Sequence, residues 1–522
     1  MTPFIRNFRD HPWSLSISAG IFLGFSFPPF NLVILQFPAF LFLFRLAELS
    51  RNWRELVIHS YVAFIIWNLI STYWLMMATL AGGIAAILAN SLLMLIPLLI
   101  IRLLLQRKTG TLPLAVSIGC TWTSYEFLHH HWDLSWTWLA LGNGWANMTL
   151  LIQYISVTGF LAISFWVVTS SALLYLTLVV PQAGNKMRNL ILTASMFLLF
   201  PVLSFISLMY DHESDSHLAI EPIEVAVIQP DMDSYLNFGG LNNVNELLTR
   251  LLELSDSVRT PDTKVIVWPE NAIDMAISRD HPVTHRIRDS VRSWKTDLIT
   301  GAGYVETYEP DEEPAIVRGR NANGSYNIFN AALHFTDNSL PDIYKKGRLV
   351  PVVERLPFAE FLQKIDLFGW IEWGTITGYG QGKKTDNFRI DGNLTPALVC
   401  YDSVYPDWVG GFIRNGATFL TIVTNDGWWG HTSGHIQHFA YARLRAIEYR
   451  RWIVRSANNG ISGIITPDGS VPVKTEYRTQ TAFNYSITPR KQLTIFARYG
   501  NWFNWLMLLG FGSMLLYIKI KK

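Results

Sequence analysis

Cys400 is the residue of this chain whose type and setting suit covalent chemistry best. It follows the apolar run 397–399 and is one of two cysteines among 522 residues. The other, Cys120, lies in a hydrophobic segment far upstream, so we expect no disulfide between them. A lone cysteine is most often a small buried apolar residue. An unpaired thiol at the end of a strand is also a candidate nucleophile, because thiolates form covalent intermediates readily.

A carboxylate and an amine occupy comparable positions in the sequence. Glu270 follows an apolar run and is preceded by Trp-Pro. Farther along come Lys346 and, eight residues later, a second carboxylate, Glu354. Lys345 is an adjacent alternative for the amine. Because sites in α/β proteins form where strands end, these groups are candidates to converge with Cys400.

A thiol, an amine and a carboxylate together permit acyl transfer. A thiol with an ordinary pKa of about 8.5 is mostly protonated at neutral pH. A nearby ammonium lowers that pKa, and a carboxylate such as Glu270 can accept the proton. The ammonium and the backbone N–H of Tyr401 can stabilise the oxyanion that forms when the thiolate attacks a carbonyl. The sequence therefore predicts a reaction that passes through a thioester.

The polar half of the chain has the pattern of a layered α/β domain. Short β-branched apolar runs alternate with amphipathic helical stretches, which is typical of buried strands connected by helices. The runs are 225–228, 265–268, 298–301, 397–400, 420–423, 452–455 and 461–465, and the helical stretches include 244–257, 285–294 and 437–450.

The rest of the chain is too apolar for an ordinary soluble protein. Hydrophobic residues make up 50% of the sequence and charged residues 16%, against about 25% in typical soluble domains. A membrane-spanning helix needs about 20 apolar residues. We predict a multi-pass α-helical bundle of about eight spans: 13–29, 31–47, 57–78, 80–104, 112–128, 155–180, 189–209 and 500–518.

The basic residues predict the orientation of these spans, because Lys and Arg are enriched in cytoplasmic loops. With eight spans, every basic cluster falls on one side, so we expect both termini in the cytoplasm. The clusters are Arg6 and Arg9, then Arg45, Arg51 and Arg54, then Arg102, Arg107 and Lys108, then Lys186 and Arg188, and finally Lys519, Lys521 and Lys522.

This topology predicts three domains. Residues 1–214 form a seven-span region, 215–495 an extracytoplasmic catalytic domain, and 496–522 a last span with a basic tail. The net charge of +2 gives no reason to expect a nucleic-acid partner. His431, His435 and His438 are spaced like metal ligands, but they lie in a loop-like stretch without a second ligand cluster. We therefore expect neither a metal nor a cofactor.

The segments around Glu270, Lys346 and Cys400 resemble the three signature segments of the nitrilase, or carbon–nitrogen hydrolase, superfamily. Together with eight spans, they resemble the bacterial apolipoprotein N-acyltransferase family. Further segments share this resemblance: the N-terminal Phe25 with Pro28 and Pro29, 349–354, 425–430, 437–448 and 455–461.

The resemblance implies an α-β-β-α sandwich with Glu270 as general base, Lys346 as stabiliser of charge and Cys400 as nucleophile. Glu354 is similar to a second family glutamate that supports the site, and Tyr401 matches the family's Cys-Tyr pair. Two positions depart from the family pattern. Asp402 stands where Glu is common, and Phe238 stands where Trp is sometimes found.

The resemblance also implies a ping-pong reaction at the bacterial inner membrane. Cys400 takes a fatty acyl chain from a phospholipid and passes it to the N-terminal amine of a diacylated apolipoprotein, so membrane lipids are partners. Two alternatives remain at this point: a membrane-tethered amidase with the same triad, and a non-catalytic scaffold or transporter. The aromatic segment 355–374 is either a loop that gates acyl-chain entry or part of the domain core.

Overall fold

The computed structural model describes residues 10–107, 110–179, 186–215, 220–322, 324–337, 340–365 and 377–520. The chain separates into two compact units. The helical unit comprises Met1–Ser214, Thr432–Leu444 and Thr494–Lys522, and the α/β unit comprises Asp215–His431 and Arg445–Leu493. The division into three domains with boundaries after residues 214 and 495 remains a prediction. Composition does not predict the grouping of Thr432–Leu444 with the helices.

Apolar helices make up most of the helical unit. In chain order they are α1 (Pro12–Phe25), α2 (Gln36–Leu49), α3 (Trp53–Thr72), α4 (Leu75–Ala78), α5 (Leu80–Leu93), α6 (Leu95–Leu105), α7 (Thr111–His129), α8 (Leu141–Gly144), α9 (Ile155–Thr158), α10 (Leu161–Leu178) and α11 (Lys186–Asp215). Near the C-terminus, α17 (Ile495–Tyr499) and α18 (Trp502–Ile520) belong to the same unit.

Four helical stretches among the described residues are long and apolar enough to cross a membrane: Trp53–Thr72, Leu80–Leu105, Leu161–Leu178 and Lys186–Asp211. The apolar stretches Pro12–Phe25 and Trp502–Leu516 are shorter. The N-terminal part is therefore helical with four candidate spans, and the count of eight remains a prediction. Glu126, near the end of α7, is 5% exposed and accepts hydrogen bonds from Trp122 Nε1 (2.9 Å) and the Leu141 N–H (3.0 Å).

Gln437 is the polar centre of a buried cluster within the helical unit. Its Nε2 donates to the carbonyls of Pro28 (2.8 Å) and Ser71 (2.9 Å). Its Oε1 accepts from the indole N–H groups of Trp74 (3.1 Å) and Trp138 (2.7 Å). An amide side chain offers two donors and one acceptor with two lone pairs, so all four positions are used.

Helices α1 and α3 approach closely because α1 presents two buried glycines four residues apart. A Cβ on Gly20 would lie 2.5 Å from the Ala63 carbonyl oxygen, and one on Gly24 would lie 2.6 Å from Ile70 Cβ. Small residues at this spacing let helix backbones pack directly against each other in a membrane.

We expect Gly20→Leu to separate these two helices and to destabilise the protein by about 2 kcal/mol or more, because a tight contact has no room for four extra carbons. The measurement is the thermal unfolding midpoint in detergent. Gly512→Leu is the control, since a Cβ at Gly512 of α18 would meet no atom within 4 Å. Equal midpoints for the two variants would contradict the packing argument.

The α/β unit contains an eight-stranded, a five-stranded and a two-stranded sheet. The first has the order β15-β1-β2-β4-β6-β5, with β3 also paired to β4 and β7 to β6; the second has the order β10-β11-β12-β13-β14, and β8 pairs with β9. The strands are β1 (Ile223–Gln229), β2 (Thr263–Val267), β3 (Ile273–Ile277), β4 (Asp297–Tyr308), β5 (Gly319–Asn321), β6 (Gly324–Phe335), β7 (Asp342–Lys345), β8 (Phe388–Ile390), β9 (Asn393–Thr395), β10 (Ala397–Val399), β11 (Leu420–Thr424), β12 (Ile453–Ala457), β13 (Gly463–Ile465), β14 (Val473–Lys474) and β15 (Thr481–Ile487).

The two large sheets pack face to face, since β1 contacts β12, β4 contacts β11 and β6 contacts β10. Helices α12 (Val244–Val258) and α13 (Pro282–Trp294) bury their apolar faces in a core with β1, β2, β4 and β6. In the second sheet, β10, β11 and β12 are parallel, so α15 (Pro406–Arg414) and α16 (Ser433–Tyr449) are the crossovers between them. This arrangement agrees with the predicted layered α/β fold.

The short helix α14 (Ala359–Lys364) precedes the undescribed residues 366–376.

His334 joins three strands of the first sheet. It is 2% exposed, and its Nε2 lies 3.2 Å from Asp297 Oδ2 while its Nδ1 lies 3.8 Å from Asp342 Oδ2. Burial alone would lower the pKa of His334, but the interactions with the two carboxylates outweigh it and the pKa is raised. Protonation therefore holds β7, which leads to Lys346, more firmly against β6.

We expect the stabilisation from His334 to be complete below its unfolded-state pKa of about 6.5 and to be lost as pH rises through the folded-state pKa. The unfolding midpoint of the wild type should therefore exceed that of His334→Asn more at about pH 6 than at about pH 9. His285→Asn is the control, because His285 pairs with Asp280 at an exposed position. If the difference in unfolding midpoint between the wild type and His334→Asn increased with pH, protonated His334 would not be the stabilising form.

Candidate active site

Cys400 begins a 3-10 turn, Cys400–Val404, directly after β10. Its φ of 46° lies in the left-handed region, which costs a residue with a side chain about 1 kcal/mol or more. A sharp turn of this kind between a strand and a helix presents a nucleophilic side chain at the end of a sheet. The residue is 9% exposed, so solvent reaches it only to a small extent.

Glu270 lies beyond the end of β2 and is 4% exposed. Its Oε1 accepts a hydrogen bond from Asn330 Nδ2 (2.8 Å), and its Oε2 accepts one from the backbone N–H of Asn425 (2.8 Å). A Cβ at Gly301 of β4 would lie 2.5 Å from the Glu270 Cα. Both carboxylate oxygens are thus held in place, and the backbone carrying them has no freedom to shift toward β4.

Lys346 follows β7, and its side chain is 1% exposed. Its Nζ lies 2.8 Å from Glu354 Oε1 and 3.6 Å from Glu270 Oε1. The Nζ of the neighbouring Lys345 instead lies 2.5 Å from both carboxylate oxygens of Glu306. Of the two lysines, it is Lys346 that the fold brings to Glu270.

Glu354 and Asn330 complete the network around the lysine. Glu354 Oε1 also accepts from Asn330 Nδ2 (3.0 Å), and its Oε2 accepts from the Val350 N–H (2.7 Å). The side-chain nitrogen of Asn330 therefore donates to both glutamates. Its backbone carbonyl accepts from the backbone N–H of Lys346 (2.9 Å). Asn330 is 5% exposed. Sequence analysis missed it, because it lies inside the apolar stretch of β6 and no pattern distinguishes it there.

The electrostatics of the site keep the thiol protonated at rest. Burial raises the pKa of Cys400, the charge of Glu270 raises it further, and the charge of Lys346 and a hydrogen bond from Thr424 lower it; the net shift is well upward. A base is therefore needed to generate the thiolate.

The two charged groups respond to burial in opposite ways. Burial raises the pKa of Glu270, and Lys346 opposes that shift only in part. Burial alone would lower the pKa of Lys346, but Glu354 and Glu270 outweigh it and the pKa is raised. Lys346 hence stays cationic, while Glu270 has the raised proton affinity that suits a general base working near neutral pH.

Asp402 fastens the turn of Cys400 to the segment that carries Lys346. Its Oδ1 accepts from the N–H groups of Gly347 (3.2 Å) and Arg348 (2.7 Å). Its Oδ2 accepts from the Tyr344 hydroxyl (2.8 Å) and the Val399 N–H (3.1 Å). Asp402 is fully buried, and burial raises its pKa to about 6. The residue that departs from the family's Cys-Tyr-Glu pattern therefore connects two site segments.

We expect Asp402→Ala to slow turnover by about a hundredfold, because the lysine and the thiol lose their common anchor and small displacements are costly in an active site. Stability should also fall by about 2 kcal/mol or more, since buried N–H groups lose their acceptor. The control is Asp391→Ala, at a position whose side chain is 52% exposed. Full activity of the Asp402 variant in a steady-state assay would refute the anchoring role.

The remaining predicted residues lie as follows. Tyr401 is 3% exposed, and its ring centroid lies 5.1 Å from that of Tyr405. Phe238 lies in the turn Asn237–Gly240 with φ of 51°, and its N–H donates to Asp274 Oδ2 (2.7 Å). Within the described residues, Phe238 does not enter the hydrogen-bond network of the triad.

No group of three or more His, Cys, Asp or Glu side chains in the described part of the chain is arranged to hold a metal ion. The aromatic residues Phe368, Trp370 and Trp373 of the predicted gating loop lie outside the described residues.

Two family profiles match this chain. The profile described as "Apolipoprotein N-acyltransferase N-terminal domain" matches residues 19–173, and the one described as "Carbon-nitrogen hydrolase" matches residues 224–488. A solved structure from Saccharomyces cerevisiae, Nit3, a member of branch 10 of the nitrilase superfamily, is 16% identical with a TM-score of 0.36, over 52% of this chain and 92% of that one.

Relatives named "Apolipoprotein N-acyltransferase" align with most of the chain. The protein from Chlorobaculum tepidum is 30% identical over 507 residues, which cover 93% of this chain and 92% of the relative. The one from Rhodopseudomonas palustris is 28% identical over 396 residues, which cover 74% and 70% respectively. By this similarity and by the carbon–nitrogen hydrolase match to its second half, the chain belongs to the apolipoprotein N-acyltransferase family.

Proposed function

We propose that this enzyme transfers a fatty acyl chain from a phospholipid to the N-terminal amine of a diacylated apolipoprotein, through a thioester on Cys400. One observation carries the proposal: Lys346 Nζ lies 3.6 Å from Glu270 and 2.8 Å from Glu354, and Asp402 ties the Lys346 segment to the turn of Cys400. A base, a fixed cation and a thiol are the groups that acyl transfer needs. The names of the relatives supply the substrate class.

In the first half-reaction, Glu270 accepts the thiol proton and the Cys400 thiolate attacks the ester carbonyl of the phospholipid. Lys346 and the Tyr401 N–H stabilise the tetrahedral oxyanion. The C–O bond to the glycerol breaks, and Glu270 returns the proton to the departing alkoxide. The products are the thioester and a lysophospholipid.

In the second half-reaction, the amine of the diacylated cysteine attacks the thioester carbonyl. Glu270 accepts a proton from the amine, the C–S bond breaks and Cys400 recovers a proton, so an amide leaves and the enzyme is regenerated. A thioester is reactive enough to acylate an amine, and water must be kept from it. The 9% exposure of Cys400 supports such exclusion.

The membrane arrangement belongs to the same proposal. Eight spans place both termini in the cytoplasm and the domain 215–495 on the periplasmic side of the bacterial inner membrane, where both lipid-anchored substrates meet the site. The distribution of basic residues supports this orientation. In the segment 355–374, the described residues Phe361 and Ile365 are 61% and 53% exposed, which supports a membrane-resting loop over core packing.

A membrane-tethered amidase uses the same triad and passes the acyl group to water. Intact-mass analysis of the purified enzyme after incubation with phospholipid alone tests the first half-reaction, since a fatty-acyl mass on Cys400 is expected. Adding a diacylglyceryl peptide must then move that mass to the peptide amine. Release of free fatty acid with no acylated peptide would favour hydrolysis over acyl transfer, and no acyl mass on Cys400 would overturn the acyltransferase proposal.

A further inference from the structure

Arg348 lies two residues beyond Lys346, and its side chain is held by two aromatic rings. The guanidinium carbon Cζ lies 5.3 Å from the centroid of the Tyr405 ring and 5.3 Å from that of the Trp408 ring. Aromatic faces attract guanidinium groups and orient their planes. The rings thus fix the position of a positive charge close to the catalytic lysine in the chain.

Within the described part of the chain, no carboxylate pairs with this charge. Among the described residues Arg348 forms no ion pair, and its side chain donates no hydrogen bond; its buried Nε is without an acceptor. The backbone N–H of Arg348 is committed to Asp402. The side chain is half-buried, so part of it remains accessible. A guanidinium offers five donors in a planar fork that matches phosphate oxygens, and no described residue accepts from this one.

Ring contacts connect this cation to the turn of the nucleophile. The Tyr405 ring, on which the guanidinium rests, meets the Tyr401 ring edge to face at 5.1 Å between centroids, and Tyr401 adjoins Cys400. Trp408 is fixed by donating from its Nε1 to the Tyr344 hydroxyl (2.8 Å). All these groups belong to the segments that Asp402 joins.

The glycine at 347 makes room for this arrangement. A Cβ on Gly347 would lie 1.9 Å from Trp408 Cζ2, so a side chain there would displace the ring that supports Arg348. Gly347, between Lys346 and Arg348 in the chain, therefore lets the Trp408 ring lie where it contacts the guanidinium.

We infer that Arg348 recognises the phosphodiester of the phospholipid acyl donor. This inference rests on the proposed function, because it assigns the head-group contact of that same site. A phospholipid carries its phosphate a few bonds from the ester that Cys400 attacks, and an arginine can grip two phosphate oxygens at once. The guanidinium of Arg348 is fixed by two rings and has no counter-ion among the described residues, and its segment is tied to the Cys400 turn through Asp402, so it can provide that grip.

The test compares two acyl donors of the same chain length, a phospholipid and a p-nitrophenyl ester without phosphate, in the rate of thioester formation on Cys400. For Arg348→Gln, we expect the ratio of kcat/KM for the phospholipid to kcat/KM for the ester to fall by about tenfold or more, because the variant loses a charge-assisted hydrogen-bonded pair. Arg348→Lys should recover part of the ratio. Arg259→Gln is the matched control, since Arg259 also lies over an aromatic ring, that of Trp294 (5.7 Å), but pairs with Asp256.

Each outcome decides the matter. An unchanged ratio in Arg348→Gln, or an equal loss with both donors, would overturn the phosphate assignment. Inhibition by excess inorganic phosphate that is equally strong in the wild type and in Arg348→Gln would also overturn it, because the phosphate would then bind elsewhere. Failure of the wild type to form any acyl thioester from phospholipid would instead refute the proposed function. If Arg348→Gln does not fold, Arg348→Lys serves as the test. Lysine keeps the charge but lacks the bidentate fork, so the ratio of the two kcat/KM values is still expected to be lower in this variant than in the wild type.

Discussion

Replacing Cys400 with serine is expected to reduce N-acylation by about ten-thousandfold or more, because single deletions within a catalytic triad cost nearly as much as removing all of it. A serine hydroxyl is far less acidic than a thiol, and Glu270 cannot deprotonate it to the same extent. The two side chains have similar size, so the strained turn with φ of 46° should be kept. The measurement is the rate of peptide acylation, with intact mass recording the loss of the acyl adduct.

Cys120→Ser provides the matched control for this experiment. Cys120 is the other cysteine and is buried in α7 against Met507, whose sulfur lies 3.7 Å away. Its replacement should leave acylation within about twofold of the wild type, since conservative changes away from the site rarely alter the chemistry. Retention of full activity by Cys400→Ser would refute the covalent mechanism.

Lys346→Met is expected to lower both activity and stability. Loss of the cation removes a charge that stabilises the oxyanion, which costs about a hundredfold to a thousandfold in kcat. It also leaves Glu270 and Glu354 as two buried carboxylates without a counter-ion, and breaking a buried pair in this way costs about 3–5 kcal/mol. Steady-state kinetics and thermal unfolding in detergent measure the two effects.

The control is the neighbouring residue, because Lys345→Met changes the same chemistry at the next position. Lys345 pairs with Glu306, and the side chains are 29% and 28% exposed. A partly exposed pair contributes about 1 kcal/mol or less, so we expect a small loss of stability and little loss of turnover. Should Lys345→Met inactivate the enzyme and Lys346→Met leave it active, the assignment of the lysine would be wrong.

The sequence proposes Glu270 and Cys400 because each follows an apolar run, and Lys346 because its segment resembles a family signature. Glu270 follows β2, Lys346 follows β7 and Cys400 follows β10. Residues just beyond strand ends are natural site residues, but β2 and β7 belong to the first sheet and β10 to the second, so only the packing of the two sheets can bring these residues together. The choice between Lys345 and Lys346 needed the distances to Glu270 and Glu354, since the sequence offers two adjacent ammonium groups.

Other parts of the site have no local signature. Asn330 bridges both glutamates from the middle of β6, and the Asn425 N–H reaches Glu270 across 155 residues of chain. In the sequence, Asp402 is only a shorter residue where the family commonly has Glu. In the fold, its side chain accepts hydrogen bonds from the Lys346 segment. Such contacts depend on which strands lie side by side, and sequence periodicity does not encode strand order.

By itself, the sequence determined that this protein has an apolar helical part and a layered α/β part, because hydrophobicity and its period are local properties of the chain. It also determined which thiol, amine and carboxylate were available. Tertiary structure alone decided that Gln437 belongs with Trp74 and Trp138 in the helical unit, and that Lys346 is enclosed by two glutamates. The physical reason is that hydrogen bonds and ion pairs between distant segments form only where packing brings those segments together and excludes water.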